Sequence, residues 1–274
     1  MQPGPIGIFD SGYGGLTILE DIRSELPEYD YLYLGDNARA PYGNRSFETV
    51  YAFTRQAVRF LFDQGCPLVI LACNTASAKA LRTIQQVDLP NMSPDRRVLG
   101  ILRPTVEVLG SLTTSRHVGL TATPGTVLSG SYPLEVRKLF PDIVMTSEAC
   151  PMWVPLVENG EQETGGAAFF VERHIRTLFE RDPQIDTLLL GCTHYPLLRP
   201  LIEQYVPKGV QVVTQGAYVA KSLKDYLSRH PEMESCCTRN ASCAFLTTES
   251  VDKFEESASI FVKRSITALH VKLD

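Results

Sequence analysis

Val69-Ile70-Leu71-Ala72-Cys73-Asn74-Thr75 decides the fold, because the chain nearly repeats it at Leu188-Leu189-Leu190-Gly191-Cys192-Thr193-His194. Both read as an apolar strand, a small residue, a cysteine, and polar residues that open a helix. Upstream, Ile6-Gly7-Ile8-Phe9-Asp10-Ser11 can be laid on Val118-Gly119-Leu120-Thr121-Ala122-Thr123 in the same way. Further short runs at 31–34, 98–101, 143–145, 210–213 and 244–247 are Leu-rich or β-branched with little polar alternation. Parallel strands covered on both faces have that pattern. Between the strands, Phe47, Val50, Tyr51, Thr54, Val58, Leu61 and Phe62 recur three and four apart and form one helical stripe. Leu16, Leu19, Ile22 and Leu26 form another, stopped by Pro27. Helices are also expected over 166–181, 217–229 and 251–269.

Alternating strands and helices place the chain in the α/β class. The internal repeat predicts two similar parallel-sheet domains facing each other across a cleft. Ligands collect outside the carboxyl ends of parallel strands, and both cysteines sit there. Hinges are expected at Arg96-Arg97 and Pro207-Lys208-Gly209. They divide the chain into a first domain of 1–97 with 210–274 and a second of 98–209. The polar stretch 230–243 reads as a surface loop.

The chain has 274 residues, 44% hydrophobic and 21% charged, which excludes wholesale disorder. Its net charge is −5, so no broad basic surface for nucleic acid is expected. No apolar run approaches the ~20 residues that cross a bilayer. The N-terminus reads as no signal peptide. Seven scattered cysteines then point to reduced thiols in a cytosol. Cys236, Cys237 and Cys243 lack the spacing of a zinc site, so no metal is expected. Cys66 and Cys150 read as structural.

Cys73 and Cys192 carry the sharpest chemistry. A strand-to-helix turn favours a thiolate, because unpaired N–H groups and the helix dipole favour negative charge. The successors Asn74-Thr75 and Thr193-His194 suit helix capping and also suit a carboxylate ligand. Asp10-Ser11-Gly12-Tyr13-Gly14-Gly15 lacks the spacing and the lysine of a phosphate loop, yet sets a carboxylate at a strand's end. Asp36 to Gly43 joins a strand to a helix through Pro41-Tyr42-Gly43. Glu158 has no role fixed by its position alone.

Together, the segments Ile6 to Gly15, Asp36 to Gly43, Ala72 to Ser77 and Leu190 to Leu197 strongly resemble the bacterial glutamate racemases. That family belongs to the aspartate/glutamate racemase superfamily. The resemblance implies racemisation of glutamate without a cofactor, by two bases, supplying D-glutamate for peptidoglycan. It implies a cytoplasmic homodimer. Carried onto this chain, Cys73 exchanges a proton with D-glutamate and Cys192 with L-glutamate. Asp10 assists Cys73, and His194 assists Cys192. Ser11, Pro41, Tyr42, Gly43, Asn74, Thr75 and Thr193 hold the substrate with Asp10 and His194, and Thr126 is a further contact. Asp36 and Glu158 are further acidic positions. The chain departs from the family at Thr214-Gln215-Gly216-Ala217, where an Asp-Ser-Gly-like stretch is expected.

The chemistry fits this arrangement. Racemisation takes a proton from one face of a carbon and returns one to the other, so two flanking groups are the simple solution. Charge develops on the carboxylate, so donors around it stabilise the transition state. The negative charge of Asp10 would oppose a nearby thiolate. Another racemase of the superfamily, a one-cysteine decarboxylase and a carboxylate-binding module are the rival readings. The paired cysteines disfavour the last two.

Overall fold

The computed structural model describes residues 2–273. β1 (Ile6–Asp10) leads to α1 (Gly15–Glu25), β2 (Tyr31–Gly35), α2 (Phe47–Asp63), β3 (Leu68–Leu71) and α3 (Asn74–Lys79). Two short helices, α4 (Leu81–Thr83) and α5 (Leu89–Met92), precede β4 (Arg97–Gly100). There follow α6 (Leu102–Leu112), β5 (His117–Ala122), α7 (Pro124–Ser129), α8 (Ser131–Leu139), β6 (Val144–Ala149), α9 (Trp153–Glu158) and α10 (Gly165–Arg181). β7 (Thr187–Gly191), α11 (Arg199–Tyr205) and β8 (Gln211–Val213) come next. The chain ends with α12 (Gly216–Arg229), α13 (Pro231–Glu234), β9 (Cys243–Thr247), α14 (Val251–Val262) and β10 (Ala268–His270).

Both sheets are parallel throughout, with orders β10-β9-β2-β1-β3-β4 and β6-β5-β7-β8. The order β6-β5-β7-β8 copies β2-β1-β3-β4 strand for strand, so the repeat in the sequence is a repeat in topology. Every residue of β1, β3 and β7 is buried, which explains why they read as unbroken apolar runs. In α2 the stripe Val50, Thr54, Val58, Leu61 and Phe62 faces the core, and the Ser46 hydroxyl caps the helix by accepting from Thr49 N at 3.2 Å.

Three expectations change. The boundary at 97/98 cuts β4 after its first residue, and the one at 209/210 assigns β8 to the first domain. β4 pairs with β3, and β8 pairs with β7, so each closes the half that precedes it. The last helix stops at Val262, where Lys263 turns into the left-handed region (φ 53°). Ala268–His270 is instead a strand beside β9. The stretch 230–243 is more than a surface loop: α13 lies in it, Met233 and Cys237 are buried, and Cys237 bridges to Gly4. Among the described residues no helix is long and apolar enough to cross a membrane.

Candidate active site

β1 delivers Asp10, and the chain turns through Ser11 to Gly14 into α1. The glycines of this turn make room. A Cβ on Gly14 would lie 2.3 Å from Thr193 Oγ1 and 2.4 Å from His194 Nδ1. On Gly15 it would lie 2.5 Å from Asp10 Cβ, and on Gly12 3.2 Å from Glu158 Oε1. The turn therefore lets residues of the second half close onto the first. Thr17 Oγ1 fastens the approach by donating to Thr193 O at 3.2 Å.

Cys73 follows β3 and caps α3: its sulfur accepts from Ala76 N at 3.4 Å, and Ser11 Oγ lies 3.3 Å away. Burial and then the Asp10 charge push the thiol up to about 12, against the pull of Ser11 and Ala76. Cys73 is therefore a thiol at neutral pH, although the turn alone favours a thiolate. Asp10 Oδ2 accepts from Gly12 N at 2.9 Å, while Oδ1 has no partner among the described residues. Burial raises the Asp10 carboxyl, and the His194 charge and the Gly12 and Gly15 N–H groups act the other way.

Cys192 directly follows β7. Its sulfur lies 3.9 Å from His194 Nδ1, and His194 Nε2 lies 3.0 Å from Glu158 Oε1. Burial pulls the imidazole down, but the bonds to Cys192 and Glu158 win and raise it to about 10. The edge of Phe261 from α14 packs on this ring, with centroids 5.5 Å apart.

The two cysteines open onto one cavity of about 350 Å³, part of it open to solvent. Ser11, Asn74, Thr75, Thr193, His194 and Glu158 line it, as do Pro41, Tyr42 and Gly43. Asp10 stands behind the wall and Asp36 is outside it. The Asp36 carboxylate holds the loop instead: it accepts from Tyr42 Oη, from Arg39 Nε at 2.7 Å and from Thr248 Oγ1 at 2.9 Å. Thr126 is likewise one layer back, with its hydroxyl 3.3 Å from Thr75 Oγ1 and 3.1 Å from Thr123 Oγ1. Thr123 and Val154 line the cavity and were missed by sequence reasoning. Thr123 lay in the turn after a recognised strand, and only its capping chemistry could have marked it. Among the described residues no three His, Cys, Asp or Glu side chains converge as metal ligands would.

Residues 16–223 match the Asp/Glu/Hydantoin racemase family. The chain belongs to that family. It is similar to the glutamate racemase of Ruegeria sp. (strain TM1040), with 39% identity over 96% of this chain and 98% of that one. Its fold matches a glutamate racemase isoform from Bacillus anthracis at a TM-score of 0.89 and 32% identity, covering 100% of this chain and 99% of the other. A glutamate racemase from Francisella tularensis, solved in complex with D-glutamate, matches at 0.88 and 32% with the same coverage. This racemase thus presents a partly open cavity lined by one cysteine from each half. Hydroxyl and amide groups around it can hold a carboxylate, and a histidine that keeps its proton stands beside one sulfur.

Proposed function

We propose that this racemase interconverts L-glutamate and D-glutamate by proton transfer between Cys73 and Cys192, without a cofactor. The product supplies D-glutamate for peptidoglycan in the cytoplasm, and the working form is a homodimer. The observation that carries the proposal is the opening of both sulfurs, each from the matching turn of its half, onto one cavity. Glutamate is favoured over aspartate by the likeness to glutamate racemases over nearly the whole chain.

In the L to D direction Cys192 accepts the α-proton, while His194 keeps its own. The Cys73 thiol donates to the opposite face, and the negative charge passes through the carbon to the other sulfur. The reverse direction exchanges these roles. Asn74, Thr75 and Thr193 stand where donors can stabilise charge on the α-carboxylate. Asp10 acts on Cys73 through charge, since the side chain in contact with that sulfur is Ser11. Among the described residues no lysine lines the cavity to form a Schiff base.

The test follows the optical rotation of L-glutamate, and of L-aspartate separately, in deuterated water with purified protein alone. Glutamate should racemise with deuterium entering at Cα, and a chelator or added pyridoxal phosphate should change nothing. Cys73→Ala and Cys192→Ala should each lower the rate in both directions by about 10²–10⁴-fold. Full turnover in either variant sinks the two-base scheme. Binding of glutamate without deuterium exchange would favour a carboxylate-binding module.

A further inference from the structure

Thr105 lies in α6, and its hydroxyl donates to Ile101 O at 2.9 Å, the back-bond common to helical threonines. Its hydrogen is spent, so its oxygen can only accept. The end of the Gln215 amide 3.1 Å away must then be the NH₂ end, which turns Oε1 towards Asn74. The Asn74 atom 2.7 Å from that oxygen must donate, so it is Nδ2. Asn74 Oδ1 is left as the acceptor for Tyr132 Oη at 2.7 Å, and Tyr132 Oη accepts from Gln215 Nε2 at 2.7 Å. Amide oxygen and nitrogen are ordinarily assigned from such networks, and here one threonine settles the whole ring.

The ring joins three parts of the chain: the turn after β3, α8, and the entry to α12. Asn74, Tyr132, Gln215 and Thr105 are all buried. Asn74 Nδ2 has two hydrogens and the ring uses one. Among the described residues the second has no partner, and Asn74 lines the cavity.

We infer that Gln215, acting with Tyr132, is a positioning residue that locks the Asn74 amide with its free N–H towards the substrate carboxylate. This rests on the reading of Asn74 as a carboxylate donor. Unlocked, the Asn74 amide would spend part of its time with its oxygen towards the cavity, and an arriving carboxylate would have to turn it. The ring sets the donor end in place beforehand.

The test is a double-mutant cycle on the full-length protein. Gln215→Met keeps the length but removes both the acceptor that holds Asn74 Nδ2 and the donor to Tyr132. Tyr132 can then either donate to or accept from Asn74, so the amide is free to turn. Gln215→Met should lower kcat by about 10–100-fold with KM changed much less. Gln215→Leu, which removes the same contacts if Gln215→Met does not fold, should act the same way. In an Asn74→Ala background neither substitution should lower kcat further. A wild-type kcat in both variants, or the same fold loss in the Asn74→Ala background, overturns the positioning role. If Asn74→Ala itself turns over at the wild-type rate, the donor reading of Asn74 fails and the positioning role fails with it.

Discussion

At His194 two neighbours outweigh burial, and the consequence is measurable. The ring should stay charged until about pH 10, against an ordinary value near ~6.5. A histidine whose folded value is raised stabilises the fold fully below its unfolded value. That contribution is lost as pH rises through the folded one. Denaturant unfolding from pH 6 to 10 should therefore show a progressive loss, and Glu158→Gln should reduce both that slope and the NMR-observed titration point of His194. An unchanged titration point in Glu158→Gln would show that the 3.0 Å contact does not hold the proton. At this scale Cys73, Cys192 and His194 were legible because their places in strand-to-helix turns are local. Asp36, Thr126 and Gln215 were not, because their roles depend on distant partners. Asp36 is held by Thr248, and Gln215 acts through Tyr132 and Asn74.

Among the elements, the turn between β1 and α1 tolerates little change. A methyl on Gly14 would collide with Thr193 and His194, neither of which can retreat into a packed core. Gly14→Ala should cost about 1–3 kcal/mol in denaturant unfolding and lower kcat as His194 shifts. Gly165→Ala is the control, since a Cβ there meets nothing within 4 Å. It should leave kcat unchanged and stability unchanged or slightly higher. The sequence hinted at this turn through its glycines but not at their purpose, because the atoms that need the space come from the other half. The end of α14 was illegible for a related reason. Phe261, Ile266 and Leu269 continue an apolar pattern, and no glycine or proline marks the turn at Lys263. Only the pairing of Ala268–His270 with Phe245, Leu246 and Thr247 makes the segment a strand.

For the molecule as a whole, the fold class and the two-half plan were legible because the repeat is written in buried strands, whose composition is narrow. The crossings between halves were not, since which sheet takes β4 or β8 depends on non-local pairing. A ligand held by both halves should tie them together. D-glutamate at about 100 times its Kd should raise the melting temperature of Cys73→Ala by roughly 5–10 °C. It should also slow amide exchange at the starts of α1 and α3 and around 192–195 together. Protection in one half alone would mean that the cavity is not the shared seat described above. The sulfurs themselves have unequal company, Ser11 beside Cys73 and His194 with Glu158 beside Cys192. Mirror-image amino acids have equal free energy in water, so an uneven pair of acids cannot favour one product at equilibrium. What it can do is give each hand its own turnover number and its own half-saturation, locked together so that their quotients agree.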